Sequence, residues 1–268
     1  MRTLRRVCVV PCLTARLTAD LSARVVSARA GSVAGTSASD CPSAERFGNC
    51  SAGDKRRPRR LHLLLGDANA RRAGMASRLH GERFFSLARD GETWISLLDH
   101  LDEALVAWRA AAATRGMSAG SAVVWLSGDE VYSGGGGDTD LWDPKSGLLR
   151  TVSRVARTAV LRLGQETSEV LVLGPLPRLA GETKTFAQWE RTPTFHLERA
   201  LMKQDMGQCA RFVPLGRSLT CKMGRRHSMN PRCSVWFERD GIRLSAEGYC
   251  KVAACLAFPA WLQLYPDL

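Results

Sequence analysis

Short apolar runs alternate with segments of helical apolar periodicity from residue 61 onwards. A run without polar alternation predicts a strand that is buried on both faces, as in a parallel sheet. The predicted strands are 61–65, 84–87, 122–126, 170–173 and, more weakly, 211–213. The predicted helices are 95–115, 148–163, 185–206, with Pro193 as a break or a start, and 245–264. This alternation predicts an α/β fold over residues 61–268, a three-layer α/β/α domain with a central parallel sheet.

Residues 1–60 lack this periodicity and differ in composition. They are rich in Ser, Ala, Gly and Arg, which favours a basic, disordered arm or a transit peptide. The apolar stretch 7–13 follows two arginines, as in a secretory signal peptide, but Pro11 interrupts it. The run Lys55–Arg60 holds five cations and has two interpretations, a solvated linker or a patch for nuclear import or nucleic acid.

The net charge of +12 is distributed unevenly along the chain. Residues 1–60 hold 12 basic and 4 acidic residues, whereas residues 61–268 have a net charge of only +4. The charge therefore favours nucleic acid as a candidate partner of the arm and indicates little about the folded part. No apolar run in the sequence reaches the roughly 18 residues that a transmembrane helix needs, so we predict no transmembrane segment.

The nine cysteines are scattered and form no C-x-x-C pair. The side chains of a zinc site are present in Cys209, Cys221, His227 and Cys233. Their spacing matches no zinc module, so we predict no metal and no other cofactor. Reduced thiols are the simpler interpretation, and they favour an intracellular protein.

Polar residues and glycines follow the predicted strands, and ligands of parallel α/β sheets bind beyond the carboxyl ends of the strands. Four short blocks carry a pattern there: Gly66-Asp67-Ala68-Asn69, Arg89-Asp90-Gly91, Trp125-Leu126-Ser127-Gly128-Asp129-Glu130 and Asp240-Gly241-Ile242-Arg243-Leu244-Ser245. In order and spacing they resemble blocks one, two, three and five of the SGNH (GDSL-type) hydrolases. The resemblance spans residues 61–250 and implies a flavodoxin-like fold and the chemistry of a serine esterase.

The resemblance also implies a role for five positions. In that family a block-one serine attacks the ester carbonyl, a block-five histidine takes its proton, and an aspartate three residues earlier orients the histidine. The serine amide, the block-two glycine amide and a block-three asparagine stabilise the oxyanion. The corresponding positions in this sequence are Ala68, Gly91, Asp129, Asp240 and Arg243.

Three of these five positions are substituted in ways that remove the chemistry. Ala68 has no hydroxyl, the carboxylate of Asp129 donates no hydrogen bond, and Arg243 stays protonated and cannot act as a base. Loss of any triad member costs several orders of magnitude in rate. The sequence therefore predicts a catalytically inactive relative of an ester hydrolase, with the cleft as a candidate site for a small ester or an anionic ligand.

Residual activity would need a different nucleophile or a carboxylate that activates water. The candidates are Ser127, Ser133, Ser245, Asp67 and Glu130. A decayed copy of an active gene is another interpretation, because each of the three substitutions needs a single base change. We also expect Asp129, Asp240 and Arg243 to meet in one cleft, with Arg243 paired to one of the two acids.

The segment 206–237 is a second unusual feature, since it holds six basic residues and no acid. It is longer than ordinary α/β connections of about 2–6 residues and is predicted to be an insertion. The alternative function is therefore a binding module for an anionic ligand or nucleic acid, through the basic arm and this loop. Trp236 and Phe237 are a candidate stacking edge, and a solvated basic loop is the plainer interpretation.

Overall fold

The computed structural model describes residues 59–77, 83–132, 147–179, 188–229, 231–255 and 258–264. The predictions for the arm, except its last two residues, lie outside the described residues, as does Ser133. The strands are β1 (Arg60–Gly66), β2 (Met75–Ser77), β3 (Arg83–Ser86), β4 (Ser118–Trp125), β5 (Val170–Leu173), β6 (Ala210–Val213), β7 (Cys221–Met223), β8 (Arg226–Ser228) and β9 (Leu262–Leu264). The α-helices are α1 (Ala68–Arg72), α2 (Trp94–Asp99), α3 (Leu101–Thr114), α4 (Leu148–Gly164), α5 (Pro193–Met202) and α6 (Ala246–Cys255).

Five parallel strands form the central sheet in the order β3-β1-β4-β5-β6. Counted along the chain, this is the flavodoxin-like order 2-1-3-4-5, which the sequence resemblance implied. The strand order reverses between β1 and β4, so the carboxyl ends of these two strands flank the crevice where such sheets bind ligands.

Helices cover both faces of the sheet because successive residues of its apolar strands point to opposite sides. Leu63 and Val124 pack with α2, α3, α4 and α5 in one core, and Leu64 and Val123 pack with α1 and α6 in the other. The first core is fastened at Trp108, which is fully buried and donates a hydrogen bond from Nε1 to the carbonyl oxygen of Leu61 at 2.8 Å. The three-layer α/β/α prediction is therefore confirmed.

The predicted helices differ from the observed ones in three places. The helix predicted for 95–115 is broken at His100 into α2 and α3, and a capping box at Thr93 begins α2. The helix predicted for 185–206 begins at Pro193, whose fixed φ suits a first helical turn, with Thr192 as its cap. The helix predicted for 245–264 is wrong over 258–264, since α6 includes Cys255 as its last residue and Pro259 lies in a turn that leads into β9.

Two small antiparallel sheets lie outside the central one. β2 pairs with β9, which joins residues near Met75 to residues near Leu264. β7 and β8 form a hairpin within the basic segment predicted to be an insertion, and a 3-10 helix over Pro231–Trp236 follows it. This part of the insertion therefore has regular structure of its own.

Candidate active site

Block one begins where β1 passes closest to β4. A Cβ atom on Gly66 would lie 2.1 Å from the carbonyl oxygen of Trp125, so only glycine fits without displacing the backbone. The next residue, Asp67, donates its amide to that same oxygen at 3.2 Å. The close approach places the turn after β1 directly against the end of β4.

Asp67 holds the turn together through three hydrogen bonds to its carboxylate. Oδ1 accepts from the amides of Asn69 and Ala70 at 2.9 and 3.4 Å, which caps α1, and Oδ2 accepts from the amide of Ser127 at 2.6 Å. Burial raises the pKa of Asp67, and the hydrogen bonds of Ser127 oppose that change. Both carboxylate oxygens of this candidate water activator are therefore engaged by backbone amides.

Ala68, at the family's nucleophile position, is the first residue of α1 and is half-buried. Its methyl group offers neither a nucleophile nor a hydrogen bond.

Asn69 joins blocks one, three and five. Its Nδ2 donates to Ser127 Oγ at 2.8 Å, and its Oδ1 accepts from the amide of Leu244 at 3.0 Å, 175 residues away. The Tyr249 hydroxyl of α6 donates to the Asn69 carbonyl oxygen at 2.9 Å. The role of Asn69 was not predictable from the sequence, because its partners lie far away along the chain.

Block two is positioned by the continuation of the β1–β3 pairing. Arg89 donates its amide to the carbonyl oxygen of Gly66 at 2.8 Å, which brings the loop carrying Gly91 to the end of β1. Gly91 has φ 73° and is exposed. Glu130 supports the same loop, since its Oε1 accepts from the amide of Trp94 at 3.2 Å.

The carboxyl group of Glu130 is largely removed from solvent. Its Oε2 is buried and has no hydrogen-bond partner among the described residues. Burial raises the pKa of Glu130 to about 7, and the charges of Asp129 and Asp67 add to the effect. The neutral acid is therefore a major form at neutral pH.

Asp129, at the family's asparagine position, pairs with Arg178 and not with Arg243. The Arg178 guanidinium also lies over the ring of Tyr132, with its carbon 4.0 Å from the ring centroid. Arg178 follows β5 in an irregular segment. Its pairing with Asp129 was not predicted from the sequence, because the two residues lie 49 positions apart. The carboxylate of Asp129 is thus paired with a cation from the segment after β5.

Asp240 and Arg243, at the family's orienting and base positions, lie in one tight turn. Asp240 Oδ1 accepts from the amides of Ile242 and Arg243 at 2.9 Å each, and Arg243 Nε lies 3.7 Å from Oδ2. The carbonyl oxygen of Gly241 accepts from the amide of Leu179 at 2.9 Å, which links this turn to the segment of Arg178. Arg243 therefore pairs with Asp240, one of the two acids expected for it, whereas Asp129 pairs with Arg178.

The described serines proposed as substitute nucleophiles have other partners. Ser127 Oγ accepts from Asn69, while Ser245 Oγ donates to the carbonyl oxygen of Val235 at 2.6 Å and accepts from the amide of Gly248 at 3.1 Å. Ser245 thereby caps the start of α6. Each of these two hydroxyls is thus engaged in a hydrogen bond that stabilises the surrounding loops.

Metal ligands do not converge in the described ranges, where no three His, Cys, Asp or Glu side chains are placed to hold an ion. Of the four residues considered for zinc, Cys221 and Cys233 have their sulfur atoms 3.0 Å apart. The sulfur atom of Cys209 instead lies 3.7 Å from the carbonyl oxygen of Gly164.

Among the helices of the described ranges, none combines the length and the apolar character that a membrane span requires.

A separate cavity of about 380 Å³ lies between α5 and the β7–β8 hairpin. Part of its wall is aromatic, since Trp189 and Phe195 meet edge to face with ring centroids 5.8 Å apart. Its basic residues are Arg199, Arg217 and Arg225. We call it the hairpin cavity.

Two glutamates also line the hairpin cavity, and backbone amides engage both. Glu198 Oε2 accepts from the amides of Leu215 and Gly216 at 3.0 and 2.9 Å, and Glu190 Oε1 accepts from the amide of His227 at 3.0 Å. Burial raises the pKa of Glu198 to about 6 and lowers the pKa of His227 below its ordinary 6.5. The His227 ring is therefore mainly neutral at pH 7, and the arginines carry the positive charge.

No protein-family model and no curated protein sequence matches the chain. Solved structures do match. A catalytic mutant of an acetylxylan esterase from Geobacillus stearothermophilus has a TM-score of 0.50 at 13% identity, covering 75% of this chain and 95% of the esterase. An alpha/beta hydrolase enzyme from the metagenome of Lake Arreo, Spain, has a TM-score of 0.50 at 10% identity, covering 72% and 91%. A lipase/acylhydrolase from Enterococcus faecalis has a TM-score of 0.48 at 14% identity, covering 73% and 92%.

These likenesses concern the fold, because their sequence identities are low. The described residues share the α/β architecture of SGNH-type hydrolase structures, as the four sequence blocks predicted. The roles of the five block residues stay predictions.

Proposed function

We propose that this chain is a non-catalytic relative of the SGNH-type ester hydrolases, which keeps the scaffold of the cleft without its nucleophile. The observation that carries the proposal is the methyl group of Ala68 at the start of α1. The surrounding scaffold is retained, since Asp67 and Asn69 still tie this turn to Ser127 and Leu244. The loss therefore concerns the reacting groups and not the frame that holds them.

Two further side chains support the proposal. The Asp129 carboxylate is paired with Arg178, and an ionised carboxylate repels a developing oxyanion. Arg243 lies beside Asp240 as a permanent cation, so it cannot take a proton from a nucleophile. Because the members of a triad act as a unit, restoring any one of them alone should recover almost no activity.

Hydrolysis of p-nitrophenyl acetate tests this proposal. The unaltered protein should release p-nitrophenol at the rate of the buffer blank. The triple variant Ala68→Ser, Asp129→Asn, Arg243→His should exceed the matched double variant Asp129→Asn, Arg243→His, which lacks only the nucleophile. Turnover by the unaltered protein would refute the proposal. A triple variant that folds but stays inactive would show that more of the site has been lost than these three groups.

The hairpin cavity favours a second candidate function, the binding of a small organic anion with an aromatic body. Phe195 and Trp189 offer an apolar wall, and guanidinium groups come from Arg225 in the hairpin turn and from Arg217 in the 3-10 helix Gly216–Leu219. A guanidinium binds carboxylate and phosphate oxygens through paired hydrogen bonds. The volume lies within the range of small-molecule sites, about 300–1,000 Å³.

Two fluorescent probes of nearly the same shape test this second function. Anilinonaphthalene sulfonate carries a negative charge, and N-phenyl-1-naphthylamine is its neutral counterpart. Arg225→Gln should weaken binding of the anion about tenfold and leave the neutral probe unchanged. Lys222→Gln is the matched control, because it removes a cation from the same hairpin outside the cavity lining. Equal effects of the two substitutions would indicate general electrostatic attraction and contradict a site in the cavity.

A further inference from the structure

Two cysteine thiols meet where the basic insertion folds back on itself. Cys221 begins β7 and is partly exposed, whereas Cys233 lies fully buried in the 3-10 helix that follows the hairpin. Their sulfur atoms are 3.0 Å apart. A disulfide needs a bond of about 2.0 Å, so a small adjustment of the two side chains is enough to form one.

The neighbourhood holds the two thiols in place from both sides. Cys221 is opposite Ser228 in the hairpin register, and Cys233 Sγ lies 3.6 Å from the carbonyl oxygen of Ser228. Ser228 therefore sits between the strand that carries one cysteine and the helix that carries the other. This arrangement presents the thiols to each other before any bond forms.

The other described cysteines have different surroundings. Cys209 faces the carbonyl oxygen of Gly164, and Cys250 and Cys255 are exposed on α6. For these three, the structure records no sulfur partner. The contact of Cys221 with Cys233 is thus specific to this pair among the described cysteines.

We infer that Cys221 and Cys233 form a site of reversible disulfide formation that closes the basic hairpin. The oxidant is a small-molecule disulfide of the oxidised glutathione type. The Cys221 thiolate attacks one of its sulfurs, which forms a mixed disulfide and releases one thiolate. The Cys233 thiolate then displaces the second thiolate and forms the Cys221–Cys233 bond. Two protein thiols lose two hydrogens in all, and the two released thiolates take up the protons.

The order of attack follows from exposure. Cys221 is partly exposed to solvent and Cys233 is fully buried, so the exposed thiol attacks first and the buried thiol serves as the resolving group. The bond would close a loop that contains β7 and β8, and with them Arg225 and His227 of the hairpin cavity. The inference does not depend on either proposed function, because it rests on the sulfur contact alone.

Peptide mapping of the full chain tests the inference. The folded protein is incubated with reduced and oxidised glutathione, alkylated and digested with trypsin under non-reducing conditions. Trypsin separates the cysteines because Lys222, Arg225, Arg226 and Arg232 lie between them. Mass spectrometry should find the peptide 218–222 joined to 233–239, lighter by two hydrogens than the separate peptides. Most of Cys221 should be in this form, while Cys250 should be alkylated or carry glutathione.

Thermal unfolding of the oxidised and reduced protein measures how much the disulfide stabilises the fold. Closing a loop of this length should lower the unfolding equilibrium constant by about two orders of magnitude, so the oxidised protein should melt at a higher temperature than the reduced protein. The difference should vanish in Cys221→Ser and persist in Cys250→Ser, the matched control. Cys221 that stops at the mixed disulfide with glutathione, or that joins another cysteine of the folded chain, would overturn the inference. The mapping of the unaltered protein decides the question even where Cys221→Ser fails to fold.

Discussion

Replacing Glu130 with glutamine should change how the stability of the protein depends on pH. Its Oε1 accepts a hydrogen bond from the amide of Trp94, and its Oε2 is buried with no partner in the part of the chain that the structure describes. Burial raises the pKa of this carboxyl from 4.5 to about 7. The folded protein therefore favours the neutral acid, whereas the unfolded chain ionises near the ordinary value.

The direction of the effect follows from proton binding. Between pH 4.5 and about pH 7, the folded protein holds a proton on Glu130 that the unfolded chain has released. Stability is thus highest below this window, falls as the pH rises through it and stays low above it. The difference between the two pKa values corresponds to about 3 kcal/mol, lost at no more than about 1.4 kcal/mol per pH unit.

Urea unfolding at pH 5 and pH 8 measures this effect. Glutamine can still accept the Trp94 amide but does not titrate, so Glu130→Gln should gain about 2.5 kcal/mol relative to the unaltered protein between the two pH values. Glu103→Gln, on the exposed side of α3, is the matched control. A difference that stays constant within about 0.5 kcal/mol, close to the error of the extrapolation, would refute the reasoning.

The remaining predictions concern stability and are checked by the same unfolding measurement. Gly66→Ala should cost more than about 3 kcal/mol because its Cβ would meet the Trp125 carbonyl oxygen, whereas Gly91→Ala should cost only about 1 kcal/mol because its Cβ would meet open space. Asn69→Ala should cost about 3 kcal/mol, since the Leu244 amide and the Ser127 hydroxyl lose their partner in the interior. Glu198→Gln should gain about 2 kcal/mol relative to the unaltered protein as the pH rises from 4.5 through about 6, because the pKa of this buried carboxyl is raised. Equal costs at the two glycines, an unchanged stability in Asn69→Ala, or a pH-independent difference in Glu198→Gln would each contradict the corresponding argument.

The strands of the central sheet were predictable because a strand that is buried on both faces has a nearly continuous run of apolar residues in its sequence. Residues 61–65 and 170–173 are such runs, and they form β1 and β5, respectively, as predicted. The helices were harder to bound. The break at His100 has no side-chain cap that the sequence could signal, and the residues after α6 form β9, which pairs with β2 far away in sequence.

The frame of the candidate site was predictable only as far as short motifs extend. Blocks one, two and three follow β1, β3 and β4, at the carboxyl ends of these parallel strands, as the sequence predicted. The roles of Arg178 and Asn69 were not predictable, for the same physical reason. Arg178 pairs with Asp129, and Asn69 forms hydrogen bonds with Ser127 and Leu244. These partners lie far away in sequence, so the contacts produce no local sequence pattern.

The bonds between Asn69 and residues 244–249 also bear on the order of folding. They span 175 and 180 residues, and the pairing of β2 with β9 spans a similar distance. Contacts of such long range close slowly, because much of the chain must be ordered before they form. We therefore expect the turn after β1 to reach its final form late. Until residues 244–264 arrive, β2 would present an unpaired edge, and a nascent or truncated chain would be prone to associate through it.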